Sequence, residues 1–167
     1  MLRVLGIDPG FGRMGLGVVE FEGTDSKHVW HSCIETDAKS DFSERLQAIR
    51  DGLAEAIRRF EPQAACVEKL FFQSNVKTAI NVGMARGVIL LALADAHVPV
   101  VELTPNEIKQ AVAGYGSADK GQMQAMVTRL LKLKEIPKPD DAADALAIAM
   151  AGGCVYLTRL RTHPKNH

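Results

Sequence analysis

At 167 residues, with 47% hydrophobic and 24% charged side chains, the chain can bury one substantial core and has the balance of an ordinary globular domain. Its formal net charge of zero excludes a nucleic-acid binder that works by bulk positive charge, although Val101 to Lys138 holds six Lys or Arg against four acids. Cys33, Cys66 and Cys154 are odd in number, far apart and without CxxC spacing. That excludes a disulfide framework or a structural zinc site and points to a reducing cytoplasm.

The opening "MLRVLGID" reads as a strand over Leu2 to Ile7, not as a signal peptide. Arg13 to Glu22 and Lys27 to Thr36 make two more strands, with the turn residues "EGTDS" between them. Such short turns predict an antiparallel meander. Phe42, Leu46, Ile49, Leu53, Ala56, Ile57 and Phe60 then recur at helical spacing, stopped at Pro62. "QAACVEKL" is a fourth strand. A helix from about Ser74 to His97 follows, and "VPVVEL" is the fifth strand. Helices from Pro105 and Ser117 precede a last helix near "KPDDAADALAIAM". This order predicts an α/β fold, a five-stranded mixed sheet with helices on both faces and strand four parallel to strand one. One domain is expected over residues 1–153, with residues 154–167, ending "RLRTHPKNH", as a basic, flexible tail. The longest purely apolar run, Val88 to Ala94, is too short to cross a bilayer, so no membrane partner is expected.

Four acids stand out within this plan. Asp8 ends a strand that is otherwise apolar, where a carboxylate costs several kcal/mol unless it is paired, neutralised or bound to a cation. An Asp-Pro-Gly turn bonding its own backbone is the plain alternative. Glu68 ends strand four, and alternation places it with Ala64 and Cys66, opposite Lys69. The parallel register would bring Asp8 and Glu68 to one sheet edge. In the last helix Asp140 suits an N-cap, and Asp141 suits the first turn and its dipole. Asp144 interrupts "AADALAIAMA", a stretch apolar all round and therefore buried. Asp141 and Asp144, three apart, share one helix face. The histidines His28, His31, His97, His163 and His167 lack ligand spacing. Oxygen donors without His or Cys favour a hard cation, Mg²⁺ or Mn²⁺, and paired ions of this kind serve phosphoryl transfer.

Other features have two readings each. Adjacent Phe71 and Phe72 either cap the core together or expose one ring for stacking on an unpaired base. Ser117 as an N-cap puts Lys120 in a first helical turn, against the dipole, which suits an anion if the lysine is not simply solvated. Gly83 and Gly87, four apart on the long helix, call for close approach of another backbone, most simply the protein's own sheet.

Taken in order, "GIDPGFGRMGLGVV", "EKLFFQSN", "ARGVILLA", "IKQAVAGYGSADKGQMQAMV" and "DDAADALAIA" resemble the RuvC family of bacterial Holliday junction resolvases, from about Leu2 to Ala151. The resemblance implies a ribonuclease-H-like fold and a homodimer that nicks opposing strands of a four-way DNA junction. It implies that Asp8, Glu68, Asp141 and Asp144 hold two Mg²⁺ ions, with Mn²⁺ a plausible substitute. Some relatives carry histidine where this chain has Asp141. It further implies a wedge aromatic at Phe71, and Phe72 beside it is expected among the DNA-binding residues. Phosphate contacts are expected from Gln73, Ser74, Asn75 and Lys109, and a catalytic as well as DNA-binding role for Lys120. The glycine-bearing helix would form the dimer interface, and the RuvA–RuvB branch-migration complex would be a partner. Rival readings are a non-catalytic junction-binding module of the same fold, a sugar-kinase or actin-like ATP binder, and a related nuclease acting on RNA.

Overall fold

The computed structural model describes residues 1–23, 25–70 and 76–162. Its strands are β1 (Leu2–Asp8), β2 (Arg13–Glu22), β3 (Asp25–Glu35), β4 (Ala64–Glu68) and β5 (Val100–Leu103). Its helices are α1 (Phe42–Phe60), α2 (Val76–Asp95), α3 (Pro105–Ala113), α4 (Lys120–Leu130) and α5 (Asp140–Thr162). The five strands form one mixed sheet in the order β3-β2-β1-β4-β5. β1, β2 and β3 make the antiparallel meander, and β4 runs parallel to both β1 and β5. The predicted fold class is the observed one.

Each face of the sheet has its own core. Leu5, Ile7, Leu16, Ala65 and Val67 pack with Ile49 and Leu53 of α1 and Ile89 and Leu93 of α2. Val4, Val19 and Cys66 pack on the other face with Ile108, Val127 and the buried stripe Leu146–Ala151. The period-two alternation of the strands thus divides the apolar residues between two helical layers.

Helix α5 lies directly on the sheet because small residues let it. A Cβ on Gly6 would strike the backbone of Ala145 and Ala149, and one on Gly17 would strike Leu146. Gly15 likewise leaves room for the backbone of Asp141. This contact presses the first turns of α5 against the carboxyl end of β1.

Several sequence expectations need correction. Helix α4 is capped by Asp119, not Ser117: its Oδ1 accepts from the Gln122 amide at 2.8 Å, and Gln122 Oε1 accepts from the Asp119 amide at 2.9 Å. This reciprocal box satisfies two donors at once, which Ser117 cannot do from outside the turn. Lys120 is still in the first turn. Asp140 is the first helical residue of α5, not a cap before it. The boundary expected after residue 153 falls inside α5, since Gly152 and Gly153 pack on Cys66 and Phe21 instead of ending the helix. Residues 163–167 lie outside the described residues. On α2, Gly83 and Gly87 face open space, so the sheet is not the surface they approach. Finally, α2 and α5 are each apolar and long enough to span a bilayer by composition, which no uninterrupted apolar run foretold. More than half of the α5 span is buried in the protein.

Candidate active site

The parallel register of β1 and β4 runs from Val4 opposite Ala64 to Ile7 opposite Val67. Asp8 and Glu68 are the next residues along each strand, at the same carboxyl edge. Both belong to the face covered by α5, where Val4, Gly6 and Cys66 also lie. In open parallel sheets this edge is where ligands bind.

A cleft of about 210 Å³ opens there, lined by Asp8, Glu68 and Asp144 together with Lys109 and Lys120. Pro105, Ile108, Met123, Ala147 and Ile148 supply its apolar wall. Helices α3, α4 and α5 thus each deliver one charged residue to the strand-end acids.

The electrostatics are those of a site short of positive charge. The Asp8 carboxyl is pushed up to about 8, first by burial, then by Glu68, Asp144 and Asp141, with Lys120 acting against them. Burial also raises Glu68, reinforced by Asp144 and opposed by Lys109. Asp144 is raised by burial as well, and Lys120 opposes that shift. Lys120 Nζ lies 3.0 Å from Asp140 Oδ2 and 3.6 Å from Asp144 Oδ2. Its hydrogen bond to Asp140, then the neighbouring carboxylates, holds the ammonium above its usual range.

Asp141 is the exception among the four expected acids. It does not line the cleft; its Oδ2 sits 3.6 Å from Nε of Arg13 at the start of β2. Among the described residues, no three His, Cys, Asp or Glu side chains stand in a metal-coordinating group. Asp141 leans toward Arg13 and Asp144 toward Lys120, each toward a cation the protein supplies itself. The donor set nevertheless fits hard divalent ions. It is all oxygen, partly buried and mutually repelling, so full ionisation requires added positive charge.

Phe71, Phe72, Gln73, Ser74 and Asn75 lie outside the described residues. Arg13 escaped the sequence reading, although a signal was present. Arg13, Gly15 and Gly17 share a parity in β2, and the glycines mark the face that meets α5. His28 and His31 hydrogen-bond each other across 2.8 Å and do not line the cleft.

The chain is similar to known proteins over nearly its whole length. The family model described as crossover junction endodeoxyribonuclease RuvC matches residues 4–152. A protein of that description from Chloroflexus aggregans is 54% identical over 149 residues, 89% of this chain and 91% of that one. Another from Thermotoga petrophila is 48% identical over 165 residues, covering 99% of this chain and 100% of the relative. A solved structure described as T. thermophilus RuvC in complex with Holliday junction substrate superposes with a TM-score of 0.88. It shares 37% identity, over 97% of this chain and 98% of that one. The chain therefore belongs to the RuvC family of crossover junction endodeoxyribonucleases.

Proposed function

We propose that the chain resolves four-way DNA junctions by paired, metal-dependent nicks in opposing strands, acting as a homodimer. The observation that carries this reading is the cleft where Asp8, Glu68 and Asp144 meet Lys109 and Lys120. A group of acids that cannot all ionise alone, flanked by lysines that can grip phosphate, suits phosphodiester hydrolysis. The non-catalytic alternative is disfavoured, since a pure binding surface gains nothing from acids that repel DNA.

Asp8, Glu68, Asp141 and Asp144 would hold the ions, with Mg²⁺ the expected metal and Mn²⁺ a substitute. Bound there, such ions would supply the activation of water and the stabilisation of the leaving oxygen. The protein's own residues do the remaining work. Lys109, across from Glu68, and Lys120, beside Asp144, orient the scissile phosphate and offset the charge that builds on it. The apolar wall of Ile108, Met123 and Ile148 limits water on one side of the cleft. Phe71, three residues beyond Glu68, would stack on an unpaired base at the junction, Phe72 would join it in binding DNA, and Gln73, Ser74 and Asn75 would contact backbone phosphates nearby.

The outward face of α2 supports the homodimer. Ile80, Met84 and Leu91 are exposed apolar side chains on it, and the bare Gly83 and Gly87 lie among them. Two sites related by a twofold axis would meet two like strands. The branch-migration complex RuvA–RuvB is the expected partner and the cytoplasm the expected location. The direct test is cleavage of a labelled junction against linear duplex with Mg²⁺, Mn²⁺ or chelator, comparing the natural chain with Asp8→Asn. Symmetric, metal-dependent nicks that vanish in the variant, with junction binding kept, would support the reading. Binding without cutting under any metal would overturn the activity, and equal cutting of duplex would overturn the substrate.

A further inference from the structure

Arg13 has no role in the reading above, yet its position is built with some care. It starts β2 two residues before Gly15, the Cα partner of Asp8. The same parity sets its side chain on the face where α5 crosses, and there it meets Asp141 at 3.6 Å. The backbone of Asp141 rests on Gly15, so its carboxylate is tethered beside Asp8. Its charge is felt at Asp8 even while its side chain turns outward. With its backbone fixed on Gly15, the Asp141 carboxylate can change direction only by side-chain rotation.

The pair is a weak one. Arg13 is 56% exposed, and an exposed ion pair at this distance contributes little to stability. A divalent ion bound directly to a carboxylate oxygen competes readily with it. Once released, this exposed guanidinium has a planar fork of donors suited to phosphate. We propose that Arg13 is an exchange partner: it occupies Asp141 before metal loading and grips a DNA phosphate after Asp141 turns inward. This rests on the metal-dependent reading of the site and adds a residue to it. It also explains why only three of the four acids line the cleft.

The test compares the natural chain with Arg13→Gln and Arg13→Lys, each first shown to melt like the parent. Calorimetric titration with Mn²⁺ reads metal affinity without any turnover. Junction binding is then measured across a salt series, with Ca²⁺ present and with chelator, on intact DNA. The expected result for Arg13→Gln is Mn²⁺ binding tightened severalfold. Its junction affinity should fall in Ca²⁺, with the slope of log K against log salt reduced by about one. Arg13→Lys should keep most of that slope. Unchanged or weaker Mn²⁺ binding in Arg13→Gln overturns the exchange, and an unchanged salt slope overturns the phosphate contact. Failure of the natural chain to bind Mn²⁺ would instead overturn the metal-dependent reading on which the proposal rests.

Discussion

Asp8 and Gly15 face each other across the β1–β2 ladder, and the space a side chain on Gly15 would fill is taken by the backbone of Asp141. One strand pair thus sets two of the four acids beside each other although 133 residues separate them in the chain. The site exists because a helix can lie on bare backbone at this point.

Gly15→Ala tests that directly. In an ordinary strand this change is favourable by a fraction of a kcal/mol, because glycine is the more flexible residue. Here the added Cβ must push α5 off the sheet. The expected outcome is a loss of about 1–3 kcal/mol, as for other overpacked cores, seen as a lower melting temperature. Metal-dependent cleavage should fall more steeply than stability, since the same shift separates Asp141 and Asp144 from Asp8.

Asp8→Asn should stabilise the metal-free protein. The folded-state pKa of about 8 exceeds the ordinary aspartate value of 3.8, so the native state keeps a proton that the unfolded state gives up. The resulting penalty is absent below about pH 4, grows as pH rises, and is complete above about pH 8. Thermal melts without metal should show the variant more stable at pH 8 by about 2–4 kcal/mol, with the gap closing toward pH 4. Mg²⁺ should raise the melting point of the natural chain at pH 8 and leave the variant nearly unmoved.

Lys120→Met removes the ammonium beside Asp144 and keeps most of the side-chain bulk. Losing one charge-stabilising donor at a reacting phosphate costs about 10²–10³ in turnover. Single-turnover cleavage of a junction should show that loss, while junction affinity falls by far less. Asp119→Ala should produce a milder version, since it undoes the cap that begins α4 at Lys120. Its stability cost should be about 1 kcal/mol.

Met84→Glu and Leu91→Glu place charges on the exposed apolar face of α2. Sedimentation equilibrium should show each substitution weakening self-association by about tenfold or more, the effect of losing a central interface contact. The monomeric forms should keep their fold, since neither side chain belongs to a buried cluster. Resolution should then fall to uncoordinated single nicks.

The chain order of elements, the mixed sheet and the two strand-end acids were readable without coordinates. β2 spans Arg13–Glu22 as expected, and β4 is parallel to β1, because period-two and helical apolar patterns are local signals. The details that failed are those where two local signals compete. Ser117 suits a cap by residue type, but the box that Asp119 completes with Gln122 starts α4 two residues later. Gly83 and Gly87 announce close contact but cannot say with what. Asp140 looks like a cap, yet in the fold it is the hydrogen-bond partner of Lys120.

By itself the sequence determined where the costly carboxylates fall, because strand-end acids and an acid inside an all-apolar helix carry a burial cost wherever the chain puts them. Only the tertiary structure decided how those charges are shared. Lys109 answers Glu68, Lys120 bridges Asp140 and Asp144, and Arg13 faces Asp141 outside the cleft. Each of these pairings joins elements distant in sequence. Their strength depends on separations of a few ångströms, which periodicity cannot supply and the packing of α5 on a glycine-bearing sheet does.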